Sequence, residues 1–159
     1  MKSALLLSLA AITAFAAEPV PEFQGSIERL DPSLDALLAP DAKIEMLASG
    51  FNWSEGPVWK DGGIVFSDVP ENTVFGWKEG EKAASVVLKP SGSLNGKDGQ
   101  GSNGLAVDSQ GRLVLCQHGE RRVARLEKDG SFTALADRFE GKRFNSPNDL
   151  VIAKSGIVY

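Results

Sequence analysis

The chain has 159 residues, of which 42% are hydrophobic and 24% charged, so it can bury a core and has the composition of an ordinary globular protein. Its formal net charge is −4 and it contains no run of basic residues, which argues against a nucleic-acid partner, because a phosphate backbone requires a positive surface. The single cysteine, Cys116, cannot form an intramolecular disulfide.

The first residues have the pattern of an export signal. A short positive start precedes the apolar run 4–14, and residues 14–16 (Ala-Phe-Ala) fit a small-x-small cleavage site. The run is shorter than the ~20 residues that cross a bilayer as a helix, although an N-terminal membrane anchor is the alternative. We predict a signal peptide over 1–16 and a mature protein that is periplasmic or secreted and not held in a membrane.

The segment that follows differs from the rest of the chain. Residues 17–43 contain Pro and Asp and one predicted helical turn at 34–38, which indicates an N-terminal arm, with a disordered linker as the alternative. From Ile44 onward, short apolar runs alternate with clusters of Gly, Asp, Asn and Ser. This alternation is typical of many short strands joined by tight turns, so we predict an all-β domain over 44–159.

One motif occurs three times in that domain, at 55–59, 103–107 and 148–152. In each copy a glycine follows eight residues after the start, and an aliphatic residue two positions beyond it. These residues are Gly63, Gly111 and Gly156, followed by Val65, Leu113 and Val158. A strand, a turn with a glycine that tolerates positive φ, and a second strand explain this spacing.

The repeat predicts a β-propeller. In the second copy two more strands flank the Asp129-Gly130 turn, so each unit has four strands, and a period of about 40–50 residues is that of a propeller blade. A sandwich built from a duplicated hairpin is the alternative, but a sandwich has no reason to repeat at this period. We expect two blades and the start of a third, the N-terminal part of a longer propeller, with Trp53, Trp59 and Trp77 in the blade core. The predicted strands are 57–60, 64–67, 74–77, 85–88, 105–108, 112–117, 122–126 and 132–136.

Glu55, Asn103 and Asn148 occupy equivalent positions in the three repeats. Because the innermost strands of a propeller line its central channel, these side chains should meet there at one depth. Carboxylate and amide oxygens suit hard divalent cations, Ca²⁺ first, and the chain has no Cys/His cluster for a closed zinc site. Each residue also has an ordinary explanation, since asparagine favours turns and glutamate is usually solvated.

Two further polar groups are candidates for a pocket. His118, the single histidine, follows an apolar strand and is either a hydrogen-bonded rim residue or a pocket residue. Arg121 and Arg122 either bind the carboxylate of a sugar acid, since arginine forms bidentate pairs, or form an exposed pair at a strand edge.

Five segments, in order, resemble the SMP-30 / gluconolactonase / luciferin-regenerating enzyme family. They are S-E-G-P-V-W at 54–59, F-S-D-V-P at 66–70, G-S-N-G-L at 101–105, C-Q-H-G-E-R-R-V at 116–123 and G-K-R-F-N-S-P-N-D-L at 141–150. The resemblance covers 44–159. It implies a six-bladed propeller that opens a sugar-type lactone with the help of a divalent cation, Ca²⁺ first, with Zn²⁺ or Mg²⁺ as alternatives.

The resemblance also implies roles for individual residues. Glu55 corresponds to an acidic metal ligand, and Asn148 to an asparagine beside the metal that contacts substrate or a bound water. Asn103 and His118 correspond to residues that approach the substrate pocket. The catalytic base and a further metal ligand are expected beyond Tyr159, so this chain by itself should be inactive.

Two other functions are compatible with the same fold. One is a related propeller esterase, and the other is a non-catalytic propeller that binds protein or carbohydrate. A carboxylate in the channel favours an enzyme, because a binding propeller does not need one there. Asp149 is not assigned as the base, because adjacent strand residues point to opposite faces and Asp149 should face away from Asn148.

Overall fold

The computed structural model describes residues 25–96 and 100–159. The predicted signal peptide and residues 17–24 of the predicted arm lie outside these ranges. The chain divides into two compact units, the first ending at Met46 and the second running from Leu47 to Tyr159. Within the two described ranges no helix has the length and apolar character needed to cross a membrane.

The first unit contains one short 3-10 helix, Pro32–Ala36. Proline at its start suits the first helical position, and the Asp31 carboxylate caps it by accepting from the Ser33 amide at 2.8 Å. The predicted helical turn at 34–38 is therefore a 3-10 turn that begins two residues earlier. Arg29 donates to the Ala39 carbonyl at 2.6 Å.

The second unit contains two four-stranded antiparallel sheets in which consecutive strands pair. The first sheet has β1 Ser54–Lys60, β2 Gly63–Asp68, β3 Thr73–Lys78 and β4 Ser85–Leu88, and the second has β5 Ser102–Val107, β6 Leu113–Gln117, β7 Arg122–Leu126 and β8 Phe132–Ala136. The predicted four-stranded units are confirmed, with all eight strands within about three residues of their expected limits.

The hydrophobic core lies between the two sheets. Its buried members are Val65, Val74, Leu105, Leu113 and Leu115. Around them pack the partly buried Val58, Leu88, Val107, Leu126 and Phe132. Sheets that bury side chains face to face, with the first strand of one against the first strand of the next, have the arrangement of successive propeller blades.

A third hairpin begins at the end of the chain. The Val151 amide donates to the Tyr159 carbonyl at 3.0 Å and the Ala153 amide to the Ile157 carbonyl at 2.9 Å. Gly156 has φ 86° in the turn between them, as its repeat position predicts. The expected start of a third blade is therefore present.

A second small hairpin was not predicted. It pairs β9 Arg138–Phe139 with β10 Lys142–Arg143 through the turn residues Glu140 and Gly141, both at positive φ. Strands of two residues are too short for apolar alternation to reveal them.

The prediction that the tryptophans form the blade core is wrong for two of the three. Trp59 is 66% exposed and Trp53 is 44% exposed, while Trp77 is partly buried. Trp59 pairs with Ile64 and Ile64 with Trp77, so Trp59 and Trp77 lie on the face of the first sheet that is turned away from the core. An apolar side chain is buried only where other residues cover it. On this face Phe51 packs against Phe66 and Phe75, with ring centroids 4.8 and 5.1 Å apart, and Trp59 is left exposed.

We expect Asn72→Ala to lower the free energy of unfolding by about 2–4 kcal/mol, because two amides would lose their acceptor and alanine tolerates the φ of 53° at this position less well than asparagine. The Asn72 side-chain oxygen accepts from the amides of Ser91, Gly92 and Ser93 at 3.0, 2.9 and 3.1 Å, and only the Ser91 amide has another acceptor. Urea denaturation measures the change. The exposed Asn95→Ala is the control and should change stability by less than about 0.5 kcal/mol; equal effects of the two variants would contradict the assignment.

Cys116 should be inert in the folded chain. It is fully buried, and burial, followed by the negative charge of Asp149, raises the pKa of its thiol to about 12. Because the thiolate is the reactive form, labelling by a disulfide reagent at pH 8 should be more than about 100-fold slower in the folded chain than in urea. Similar rates in the two states would show that this strand is open to solvent.

Candidate functional site

Two glycines allow the three repeat positions to lie side by side. A methyl group on Gly56 would come within 2.8 Å of the Asn103 carbonyl oxygen, and one on Gly104 within 2.9 Å of the Asn148 carbonyl oxygen. The Gly104 amide donates to that Asn148 oxygen at 2.7 Å. The chain therefore runs past the candidate site in three adjacent passes, which is the arrangement expected of innermost strands around a channel.

Irregular pairing marks the same position in both complete blades. The register of β1 with β2 shifts between Glu55 and Val58, and that of β5 with β6 shifts between Ser102 and Leu105. Such bulges redirect side chains and are frequent beside functional sites. In each blade the bulge lies at the predicted site residue, Glu55 or Asn103.

Hydrogen bonds hold Glu55 and the segment that precedes it. Its Oε1 accepts from the Trp53 indole N–H at 2.9 Å, and no group in the described ranges donates to its Oε2. The buried Asp68 carboxylate accepts from the backbone amides of Asn52 and Trp53 at 3.0 and 3.1 Å, which anchors the chain leading into Glu55. Glu55 also borders an open apolar pocket of about 250 Å³ on the face of the first blade that is turned away from the core.

Asn103 is almost fully buried, with 1% of its surface exposed. Its carbonyl accepts from the Ser67 hydroxyl at 2.8 Å, and the Ser67 and Ser102 hydroxyls are 2.7 Å apart. Its side-chain Nδ2 is buried and has no acceptor within residues 25–96 and 100–159. An unsatisfied buried donor costs about 1–3 kcal/mol, which an oxygen of a ligand or a water would recover.

Asn148 lies on an exposed stretch without regular strand structure, before the third hairpin. The side chain of its neighbour Asp149 lies against Gly104 in the second blade: its Oδ1 would be 2.5 Å from a methyl group on that glycine. The same carboxylate accepts from the Leu150 amide at 2.8 Å. That the Glu55 and Asn148 side chains meet at the channel stays a prediction.

His118 lines a polar pocket of about 310 Å³ together with Gln100, Gly119, Arg121 and Ser146. The pocket adjoins the repeat positions, since the His118 amide donates to the Gly101 carbonyl at 3.1 Å and its carbonyl accepts from the Ser146 hydroxyl at 3.1 Å. The imidazole Nδ1 is buried, and no described group pairs with it. His118 therefore lines a pocket. The sequence alone allowed either a rim position or a pocket position for this residue.

The two adjacent arginines differ in their surroundings. Arg122 donates to the Gln117 side chain at 2.6 Å, and Gln117 donates to the Ser91 carbonyl at 3.0 Å. The Arg122 side chain is therefore hydrogen-bonded within the second blade. Arg121 donates through Nε to the Phe144 carbonyl at 2.6 Å and lines the His118 pocket. Both side chains are half-buried, so the exposed-pair alternative is wrong.

Three residues of this region were not singled out from the sequence. Asp68 had a usable signal, because a carboxylate inside an apolar strand needs partners when it is buried. Gln100 and Ser146 had none, because they reach the pocket from loops that are distant in sequence.

Within its described ranges the structure shows no preformed cluster of acidic or sulfur ligands at the repeat positions. No three or more His, Cys, Asp or Glu side chains in the part of the chain that the structure describes are placed to hold a metal ion together. The three repeat positions carry one carboxylate and two amide side chains, whose oxygen atoms suit Ca²⁺ or Mg²⁺ better than zinc.

Comparison with known proteins identifies relatives over most of the chain. The family profile described as SMP-30/Gluconolactonase/LRE-like region matches residues 53–159. A gluconolactonase of Zymomonas mobilis subsp. mobilis (strain ATCC 31821 / ZM4 / CP4) is 40% identical over 143 residues, which make up 85% of this chain and 40% of that protein. The chain therefore spans less than half the length of this relative.

Solved structures similar to this chain include a gluconolactonase and a lyase. A gluconolactonase from Xanthomonas campestris superposes with a TM-score of 0.74 and 35% identity, over 92% of this chain and 46% of that one. A virginiamycin B lyase from Staphylococcus aureus, with quinupristin, superposes with a TM-score of 0.52 over 76% of this chain and 39% of that one. At 13% identity this second likeness concerns the fold alone.

Proposed function

We propose, since the chain belongs to the SMP-30/gluconolactonase/LRE-like family, that it supplies the first metal ligand and part of the substrate pocket of a lactone-hydrolysing β-propeller. The observation that carries the proposal is the contact of three successive inner segments at Gly56 and Gly104, with the bulged Glu55 and Asn103 beside them. The substrate class, a sugar-type lactone, is proposed from the gluconolactonases to which the chain is similar.

Glu55 is the proposed acidic ligand of a divalent cation. The Trp53 indole orients one carboxylate oxygen and leaves the other without a protein donor, as a ligand requires. Asn148 is the proposed amide ligand on the adjacent pass of the chain. A bound Ca²⁺, or Zn²⁺ or Mg²⁺, would polarise the lactone carbonyl as a Lewis acid.

Asn103 and His118 are the proposed substrate contacts. The unpaired Asn103 Nδ2 is a donor for a lactone or hydroxyl oxygen, and the His118 pocket accommodates polar groups next to it. The base that deprotonates the attacking water is not assigned to a residue of this chain, because the Asp149 carboxylate bends over Gly104 and holds the Leu150 amide.

A chimera tests the proposal. The segment of the Zymomonas mobilis gluconolactonase that matches this chain is replaced by the corresponding residues of this chain, and hydrolysis of D-glucono-δ-lactone is followed after EDTA treatment and after addition of Ca²⁺, Zn²⁺ or Mg²⁺. We expect activity that EDTA removes and a divalent cation restores. A chimera that unfolds cooperatively but is inactive with every metal would favour a non-catalytic binding propeller.

The 159-residue chain by itself should hydrolyse D-glucono-δ-lactone no faster than buffer. Only one of the three repeat positions carries a carboxylate, and the affinity of oxygen sites depends on the number and charge of their ligands. The Zymomonas mobilis enzyme is the positive control. Hydrolysis by the short chain that Glu55→Gln abolishes would place a complete site within these residues and contradict the assignment of the base elsewhere.

A further inference from the structure

The pocket around His118 has the electrostatic character of an anion site. Its five lining residues are Gln100, His118, Gly119, Arg121 and Ser146; they include the arginine and no acidic residue. The nearest acidic side chain in sequence, that of Glu120, is turned elsewhere, because its Oε1 accepts from the Leu94 amide at 3.0 Å. The pocket therefore combines a guanidinium group with other hydrogen-bonding groups and no carboxylate.

One hydrogen bond holds the Arg121 guanidinium in place and leaves its other donors free within the described residues. Its Nε donates to the Phe144 carbonyl at 2.6 Å, while its two terminal nitrogens have no acceptor in the described parts of the chain. Its backbone is also fixed, at φ 57° with the amide donating to the His118 carbonyl. A planar fork fixed at one end and free at the other is the arrangement that receives a carboxylate through two parallel hydrogen bonds.

The pocket is next to the proposed catalytic positions. Ser146 lies two residues before Asn148, and Gln117, which precedes His118, pairs with Ser102, which precedes Asn103. The segments that carry Asn103 and Asn148 therefore also border this pocket, where the part of a ligand that is not undergoing reaction would lie. About 310 Å³ accommodates a carboxylate with a short polar chain.

We propose that Arg121 binds a carboxylate carried by the lactone away from its ring ester, so that the preferred substrates are lactones of sugar diacids. The claim that the bound molecule is a substrate rests on the proposed function, whereas the claim that Arg121 binds a carboxylate does not. The unpaired His118 Nδ1 and the side chains of Gln100 and Ser146 would serve the hydroxyl groups next to that carboxylate.

Binding to the 159-residue chain tests the site without catalysis. In EDTA, titrations with D-glucarate and with the uncharged D-glucitol are followed by NMR, using the amide signals of residues 118–121. We expect D-glucarate to bind and D-glucitol not to bind, and Arg121→Gln to weaken D-glucarate binding at least about tenfold, the effect of losing a charged bidentate contact. Arg138→Gln, which removes the same charge from an exposed position, is the control and should bind as the unchanged chain does.

The preference of the catalytic chimera tests the substrate class. Arg121→Gln should lower kcat/KM for a D-glucaric acid lactone at least about tenfold more than it lowers kcat/KM for D-glucono-δ-lactone. Equal losses for both lactones, or D-glucarate binding that Arg121→Gln leaves unchanged, would overturn the inference. If the chimera is inactive while D-glucarate binding still depends on Arg121, the carboxylate site stands and the proposed function fails.

Discussion

Glu55→Gln should lower lactone hydrolysis by the chimeric propeller at least about 100-fold, a loss of roughly 3 kcal/mol in transition-state stabilisation. The substitution keeps the size of the side chain and its contact with the Trp53 indole, since the glutamine oxygen also accepts from that group. It removes the one negative charge at the three repeat positions. The expected loss therefore arises from cation binding rather than from packing.

A matched control separates these two causes. Glu79→Gln removes the same charge from an exposed position in the turn between β3 and β4. Calorimetry with Ca²⁺ should show weakened binding in the Glu55 variant and unchanged binding in the Glu79 variant. Normal cation affinity together with normal hydrolysis in the Glu55 variant would remove this residue from the metal site.

Gly56→Ala should lower the free energy of unfolding by about 2–5 kcal/mol, the sum of a left-handed backbone penalty and a steric clash. Gly56 has φ 57°, and a methyl group there would lie 2.7 Å from the Leu105 amide nitrogen and 2.8 Å from the Asn103 oxygen and the Gly104 Cα. All three are backbone atoms, so rotation of a side chain cannot relieve the contact. The two inner strands would have to separate, and the candidate site with them.

Gly62→Ala isolates the backbone penalty. Gly62 has φ 79° in the turn after β1, but nothing lies within 4 Å of a methyl group there. Its substitution should cost only about 1–2 kcal/mol. Urea denaturation of both variants gives the difference that belongs to the clash, and no difference would mean that β1 and β5 are not in close contact in solution.

The blade strands and the equivalence of Glu55, Asn103 and Asn148 could be predicted because they depend on local patterns. Apolar alternation marks strands, and turns with glycine at positive φ mark their ends, as at Gly111 and Gly156. For the first repeat the predicted turn glycine is wrong, because Gly63 is the first residue of β2 and the positive φ falls on Gly62. The hairpin at 138–143 was missed because two-residue strands leave no such pattern.

The tryptophans were misplaced because residue type predicts a preference for burial but not which face of a sheet is covered. Trp59 and Val65 both lie in apolar strands of the first blade, yet Val65 is 6% exposed and Trp59 is 66% exposed. The difference depends on the second blade, which packs against only one of the two faces.

The sequence by itself determined the all-β repeat, the family resemblance and the residues that share a repeat position, since each depends on residue types and their spacing along the chain. Only the tertiary structure decided that Arg121 faces a pocket while Arg122 bonds within the blade, and that Asn103 and His118 have buried nitrogens without partners. These properties depend on loops that meet from distant parts of the chain, such as those carrying Gln100 and Ser146. Spacing along the chain carries no information about which side chains meet across such loops or which hydrogen bonds remain unmade.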